Sequence, residues 1–422
     1  MFSYEELERY IEDKKDDLRD LDIFERSLKL EPNREFITSV YGPRRSGKTF
    51  LFYSLLKTLD EKEVLYLNFD DIQLRDWTSE DIMGSVTMFH EINGKEPETI
   101  MLDEIQNVEG WEKAVRTLYE KKRYGILLTG SSSRLLSKEI STSLRGRSLG
   151  YPMLPLSFRE YLIFLGKKVS IPKTTRGIAD LRTSLDDYLS EGSFPGLAYN
   201  RGFRSKFYDD YVDLVVYRDL VERYGISNLE LLNYMIKSVI QSFSKEFSVN
   251  RIYNQWRSMR YEASKKTFYN YFSYLEDAMF AFTLNKYSRS MRTSELSTPK
   301  VYLADTGLPS HMIGYQKGRA MENCVFLELL RRKWKNSGID LYFWKDNSSE
   351  VDFIVYKKDK PSELIQVTET LTEGNYKREV DALIKSGKKL DGKNLTLITW
   401  SGEEKLKEKI DVIPLWKWLL KE

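Results

Sequence analysis

Glu35-Phe36-Ile37-Thr38-Ser39-Val40-Tyr41-Gly42-Pro43-Arg44-Arg45-Ser46-Gly47-Lys48-Thr49-Phe50-Leu51-Phe52-Tyr53-Ser54-Leu55-Leu56 decides the fold. Phe36, Ile37, Val40 and Tyr41 predict a short buried strand over 35–41. Phe50 to Leu56 predicts the first turns of a helix. Between them, Gly42 to Thr49 matches G-x-x-x-x-G-K-[ST] in full. A strand, a tight loop and a helix N-terminus make an anion site: glycines let backbone N–H groups converge on phosphate oxygens, and the helix dipole favours negative charge. Gly42, Pro43, Arg44, Arg45, Ser46, Gly47, Lys48 and Thr49 are therefore expected to bind ATP. Lys48 would reach the β- and γ-phosphates, and the Thr49 hydroxyl would hold Mg²⁺.

The next informative run lies about 55 residues on. Thr99-Ile100-Met101-Leu102-Asp103-Glu104 is apolar and ends in two carboxylates. An Asp at the end of a buried strand can hold Mg²⁺ beside the phosphates. The adjacent Glu can act as general base on water. Asp103 is thus expected as a metal ligand and Glu104 as the catalytic base. No Asn-Lys-x-Asp base-reading motif is present, since Asn285-Lys286-Tyr287-Ser288 lacks the Asp, so ATP is preferred over GTP.

Composition frames this reading. The 422 residues suffice for two to four domains, and 41% hydrophobic with 13% aromatic content supplies real cores. No apolar run approaches membrane-spanning length, and the charged N-terminus is unlike a signal peptide. A single cysteine, Cys324, excludes a disulfide framework within the chain and a cysteine-based zinc site. Only His90 and His311 occur, which excludes a His-rich metal site. A cytoplasmic location is expected. The net charge is +2, yet residues 244–300 hold ten Lys/Arg against five Asp/Glu. That local excess suits an anionic polymer such as DNA, or an ordinary solvated face.

The expected fold class is α/β multidomain, in five segments. Residues 1–32 predict two short helices. Residues 33–150 predict a parallel-sheet core with strands at 35–41, 63–69, 98–103 and 125–130. Asp70 and Asp71 end the second strand and are expected to cap a helix. Trp111, Val115 and Leu118 share a helix face. Ser131, at the end of the fourth strand, can sense the γ-phosphate or simply form a turn. Ser143-Leu144-Arg145-Gly146-Arg147 offers an arginine finger for a neighbour's ATP, with Arg147 preferred over Arg145. Residues 151–225 predict a helical lid and connector, in which Arg218 is a weaker phosphate-sensor candidate.

Gly-Pro-Arg-Arg-x-Gly-Lys-Thr, Leu-Asp-Glu-Ile-Gln, Thr-Gly-Ser-Ser and Ser-Leu-Arg-Gly-Arg, in this order, resemble the AAA+-type ATPases of a large archaeal and bacterial family. Pro155-Leu156-Ser157-Phe158-Arg159-Glu160-Tyr161 and Gly192-Ser193-Phe194-Pro195 fit the same family. The resemblance covers the chain beyond residue 30. It implies a C-terminal restriction-endonuclease-like domain of unknown function, and the arginine role only through Arg145-Gly146-Arg147; a finger from a neighbouring subunit would make ATP favour a homo-oligomer.

Residues 226–312 predict a winged helix. Leu232, Ile236, Val239 and Phe243 form one apolar stripe; Phe268, Phe272, Leu275 and Met279 form another on a helix capped by Ser264. The opposite face of that second helix shows Lys265, Lys266, Tyr269 and Asn270, residue types that contact phosphates and base edges. Ala281 to Tyr287 is expected as the wing. Packing between domains is the competing role for this segment. Residues 313–422 resemble the PD-(D/E)XK nuclease fold. Glu322, Glu350 and Asp352 match its carboxylates, whereas Gln366 and Thr368 stand where active members carry Glu and Lys. A degenerate site with weak metal affinity is therefore expected.

These readings combine into a Mg²⁺-dependent ATPase that engages DNA. The alternatives are a nucleotide-gated signalling switch with slow hydrolysis and an ATP-regulated nuclease.

Overall fold

The computed structural model describes residues 3–131, 146–199, 201–358, 360–400, 402, 406 and 409–421. The chain forms two compact units, Met1–Leu154 and Pro155–Glu422.

The first unit is built on a parallel sheet. Its strands are β1 (Ile37–Tyr41), β2 (Val64–Asn68), β3 (Thr99–Asp103), β4 (Gly125–Gly130) and β5 (Ser148–Pro152), in the order β2-β3-β4-β1-β5. Side chains alternate across a strand, so each strand feeds both faces. Ile37, Leu65, Leu67, Ile100, Leu102, Ile126 and Leu128 pack with Phe89, Trp111 and Leu118 on one side. Val40, Tyr66, Met101 and Leu127 pack with Leu51 and Phe52 on the other. Burial on both faces is why these strands read as continuous apolar runs. The helices are α1 (Tyr4–Arg19), α2 (Lys48–Leu56), α3 (Ser79–Asn93) and α4 (Trp111–Glu120). Trp111, Val115 and Leu118 are all buried. Asp71 caps a short 3₁₀ turn at Ile72–Leu74 and pairs with Lys14 at 2.9 Å.

The N-terminal segment departs from expectation. One helix forms instead of two. α1 starts at a Ser3/Glu6 capping box and buries Leu7 and Tyr10. Beyond it, long-range hydrogen bonds replace helical pairing. The buried Arg26 guanidinium donates to the carbonyls of Ser46, at 2.6 Å, and Leu154, at 2.8 Å.

The second unit opens with the helix Phe158–Phe164, set by a second capping box. Glu160 N–H donates to Ser157 Oγ, and Ser157 N–H donates to Glu160 Oε2. A π-helical stretch, Val215–Glu222, carries the exposed Arg218. Then come the helix Leu229–Gln241, β6 (Lys245–Glu246), helices Val249–Ser258 and Lys265–Asp277, β7 (Ala281–Leu284) and β8 (Lys300–Leu303). The three strands form an antiparallel sheet ordered β6-β8-β7. The segment expected as a wing is shared out. Only β7 pairs with β8, while Asn285 and Tyr287 exchange backbone hydrogen bonds with Phe343 in the last sheet. The helix Lys317–Lys335 leads into that sheet: β9 (Ile339–Lys345), β10 (Glu350–Lys357), β11 (Lys360–Val367), β12 (Leu395–Thr399) and β13 (Asp411–Pro414). β9, β10 and β11 are antiparallel, whereas β12 and β13 continue parallel to β11.

Asp305 ties the second unit together. Its buried carboxylate accepts from Ser193 N–H at 2.6 Å, Ser193 Oγ at 2.8 Å, Tyr208 Oη at 2.6 Å, Gly307 N–H at 2.8 Å and Leu308 N–H at 3.1 Å. The glycines beside it are required by space. A Cβ on Gly192 would lie 1.9 Å from Tyr208 Oη, and one on Gly307 would lie 2.1 Å from it. Asp305→Ala should cost about 3 kcal/mol or more, because several buried donors lose a charged acceptor together. Urea denaturation followed by tryptophan fluorescence checks this; a loss below about 1 kcal/mol would show that water replaces the carboxylate.

Candidate functional site

The parallel sheet brings three loop ends to one edge. β4 lies between β1 and β3. The Gly42–Thr49 loop after β1, Ser131 after β4 and Asp103-Glu104 after β3 therefore emerge side by side. The loop geometry explains its glycines. A Cβ on Gly42 would lie 2.0 Å from the Met153 carbonyl oxygen. Gly47 caps α2 at φ 96°, in the left-handed region that glycine adopts without strain. Arg45 also has positive φ, 62°, and is exposed. No side chain caps α2, so its first N–H groups remain oriented for a ligand. Ser46 Oγ is buried without a hydrogen-bond partner. An orphaned buried hydroxyl in such a loop fits a site shaped for polar oxygens.

Lys48 is buried and curls back on the loop. Its Nζ donates to the carbonyls of Gly42, at 3.2 Å, and Pro43, at 3.3 Å, and lies 3.5 Å from Glu104 Oε1. Asp103 is fully buried. Tyr66 Oη donates to its Oδ2 at 3.0 Å, Thr129 Oγ1 donates to its Oδ1, and the Thr49 hydroxyl also donates to it. Burial, reinforced by the Glu104 charge, pushes the Asp103 carboxyl up to about 6 against these donors. Glu104 sits in the left-handed region, φ 50° and ψ 44°. Burial works against its ionised form, but Lys48, the Gln106 amide and Arg44 outweigh it and hold its carboxyl below the usual range.

Thr49, Asp103, Glu104, Lys48 and Ser131 are thus brought together. Arg147 is not. Its carbonyl accepts from Ile37 N–H at the start of β1, and its guanidinium lies over the Tyr119 ring. That is the opposite end of the strands from the Lys48 loop of the same chain. Arg145, Ser132 and Ser133 lie outside the described residues. In the second unit, Lys265, Lys266, Tyr269 and Asn270 are all exposed on the helix Lys265–Asp277, while Phe268, Phe272 and Leu275 are buried. Ser264 caps that helix, accepting from Thr267 N–H. Met279 is buried but falls beyond the helix end.

Glu322, Glu350 and Asp352 also converge, around a residue the sequence did not single out. Lys300 Nζ stands among all three. Gln366 is engaged by its backbone and side-chain neighbours: it accepts from Asp352 N–H and donates to Glu379. Thr368 is buried beyond the end of β11. Among the described residues, no group of three or more His, Cys, Asp or Glu side chains is placed to hold a metal ion by itself.

Other contributors were missed as well. Thr129 bridges the two acidic residues, donating to the Asp103 carboxylate and accepting from Glu104 N–H at 2.9 Å. Its signal was a hydroxyl closing the apolar run Ile126-Leu127-Leu128. Gln106 donates to Glu104 Oε2, and Arg26 supports the loop from below. Arg26 gives no local signal, since its partners lie 20 and 128 residues away.

MJ1544, an uncharacterized protein of Methanocaldococcus jannaschii, is 36% identical over 406 residues, spanning 93% of this chain and 90% of that one. The chain belongs to the same family. An uncharacterized protein of Haemophilus influenzae is 29% identical over 399 residues, spanning 92% and 94%. Residues 34–162 match an AAA domain, and this matched region holds every member of the Lys48–Asp103 cluster. Residues 182–319 and 317–418 match domains of unknown function (DUF8612 and DUF4143). Among solved structures, the Aeropyrum pernix Orc1 protein in complex with DNA is 15% identical, covering 77% of this chain and 92% of that one, with a TM-score of 0.29. The core is a P-loop AAA domain on a parallel sheet. Among the described residues, no helix is long and apolar enough to cross a membrane.

Thr129→Val keeps the shape of the side chain but leaves Asp103 and the Glu104 N–H each short of a partner inside the AAA domain. It should destabilise the first unit by about 1–3 kcal/mol. Chemical denaturation of the full chain reads this directly, and an unchanged transition would show that the bridge contributes nothing.

Proposed function

We propose that the chain is a Mg²⁺-dependent ATPase of AAA+ type that binds and hydrolyses ATP and engages DNA. The observation that carries the reading is the convergence of Lys48, Thr49, Asp103 and Glu104 on one sheet edge, next to uncapped helix N–H groups. Thr49 and Asp103 are hard oxygen ligands, too few to hold an ion alone. That suits Mg²⁺, which takes one or two protein ligands and completes its shell with phosphates and water. When bound, Mg²⁺ offsets charge on the β- and γ-phosphates. Lys48 leaves the Gly42 and Pro43 carbonyls for phosphate oxygens. Glu104 would take the proton of the attacking water, and Ser131 would sense the γ-phosphate.

The domain reading is 1–32, 33–150, 151–225, 226–312 and 313–422. Helix, strand, two helices and two antiparallel strands over 229–303 support a winged helix. Its exposed Lys265, Lys266, Tyr269 and Asn270 are read as the DNA-binding face. Arg147 is read as a finger for a neighbouring subunit, because it lies far along the strands from its own loop. A switch with slow hydrolysis has one specific observation in its favour: Lys48 and Gln106 hold the Glu104 carboxylate. Strong stimulation of turnover by DNA would separate the ATPase from that switch.

Lys48→Ala should abolish nucleotide binding, whereas Glu104→Gln should bind ATP and fail to hydrolyse it. Calorimetric ATP titration with a phosphate-release assay distinguishes them; wild-type turnover by Glu104→Gln would displace it as the base.

Arg147→Ala should keep ATP affinity and lower kcat by about 10³-fold. Mixing it with Glu104→Gln should restore part of the activity if sites are shared between subunits. An absence of rescue from a protein that stays monomeric with ATP would remove the finger.

Replacing Lys265 and Lys266 with Ala should leave basal turnover intact and weaken DNA binding. The slope of log affinity against log salt should fall by roughly 0.9 for each duplex phosphate that is no longer neutralised. Unchanged affinity across salt concentrations would move the DNA-binding face elsewhere.

A further inference from the structure

Three carboxylates in the second unit surround one ammonium. Lys300 opens β8, and its side chain is only 4% exposed. Its Nζ lies 3.1 Å from Glu322 Oε1, 2.8 Å from Glu350 Oε1 and 2.9 Å from Asp352 Oδ1. An ammonium has three donors, and here each carboxylate receives one. Further donors complete the shell. Tyr302 Oη donates to Glu322 Oε1 at 2.8 Å, Val367 N–H donates to Asp352 Oδ2 at 3.0 Å, and Lys345 Nζ lies 3.2 Å from Glu350 Oε2. Burial opposes the charge on Lys300, but Asp352, Glu322, Tyr302 and Glu350 together hold its pKa well above the ordinary range.

Carboxylates gathered from a helix and a strand make a donor set that a hard divalent cation takes. Lys300 and such an ion cannot occupy the same point. Nor is Lys300 easily withdrawn: β8 is the middle strand of its sheet, and Val301, Tyr302 and Leu303 beside it are fully buried. The neighbouring amide is likewise committed, since Gln366 is spent on Asp352 N–H and Glu379.

We propose that Lys300 is the resident cation of this cluster, taking the place of a divalent metal ion and joining β8 to the helix Lys317–Lys335 and to β10. The domain then needs no metal, and Lys300 rather than the Gln366 and Thr368 replacements alone keeps metal out. This inference stands on the cluster and is independent of the ATP reading.

The test is Mn²⁺ titration of the nucleotide-free full chain, by calorimetry and by electron paramagnetic resonance. Wild type should show no Mn²⁺ uptake that Asp352→Asn removes. Lys300→Met should gain a site at least roughly tenfold tighter than any in wild type, with the carboxylates closing in by about 0.8 Å to reach metal–oxygen distances. Adding Asp352→Asn to Lys300→Met should abolish the gain. If Lys300→Met does not fold alone, refolding in millimolar Mn²⁺ should rescue it. Asp352-dependent Mn²⁺ uptake by wild type, a folded Lys300→Met that gains no site, or an unfolded one that Mn²⁺ does not rescue would each overturn the proposal. So would Mn²⁺-dependent DNA cleavage by wild type that Lys300→Met abolishes, since Lys300 would then be a catalytic cation.

Discussion

The buried carboxylate of Asp103 is the constraint on which the first unit is arranged. A charge at zero exposure is costly unless donors meet it, and three hydroxyls do so: Thr49 from the first turn of α2, which follows β1, Tyr66 from β2 and Thr129 from β4. Each comes from a different strand or from the helix that follows one, so satisfying Asp103 fixes the relative register of the strands that carry the site. Thr129 extends the effect by accepting from Glu104 N–H, which helps hold Glu104 in a left-handed backbone conformation unusual for a side chain of its size. The loop is in turn held from beneath by Arg26 on the Ser46 carbonyl and by the close approach of Gly42 to Met153. Site geometry and sheet stability are therefore set by the same few polar contacts.

The second unit has comparable anchors in Asp305 and Lys300. Asp305 gathers the Gly192-Ser193 turn, Tyr208 and the first turn after β8 onto one carboxylate. Lys300, five residues earlier, gathers Glu322, Glu350 and Asp352. The two flank β8 and commit it to different sets of neighbours. This explains why the Gly192-Ser193 segment, with no evident chemistry of its own, needs its glycine: Tyr208 Oη occupies the space a Cβ would take.

How much of this was legible follows from the range of the interactions. Strands β1 to β4 were legible because burial on both faces leaves apolar runs that end in turn residues, and their observed limits fall within about two residues of the expected ones. β5 was not expected. Ser148-Leu149-Gly150-Tyr151-Pro152 is an edge strand, half exposed and broken by glycine and proline, so it carries little hydrophobic signal. The loop and its two carboxylates were legible because chemistry fixes residue types at short spacing. Thr129 and Arg26 act across the sheet or along the chain and leave no local pattern. The second N-terminal helix failed for the same reason: Arg26 is spent on distant carbonyls, and local charge pairing cannot compete. Lys300 is the clearest case. Gln366 and Thr368 suggested that a cation was missing from β11, while the cation is supplied from β8, more than 60 residues earlier in the chain.

Two acidic clusters in this chain are built from the same residue types and differ in what surrounds them. Around Asp103 the nearest donors are neutral hydroxyls, which lower the cost of burial without cancelling the charge. The nearby ammonium of Lys48 faces Glu104 and the loop carbonyls instead. The Asp103 carboxylate is thus met by hydroxyls rather than by an ammonium, beside helix N–H groups that favour anions such as phosphate. Around Asp352 the partner is itself an ammonium, with Lys345 on the far oxygen of Glu350. Two ammoniums there face three carboxylates, and every donor of Lys300 is used. A carboxylate cluster that already holds an ammonium at its centre leaves no point for a second cation, and that, rather than net charge, separates the Asp352 cluster from the Asp103 one.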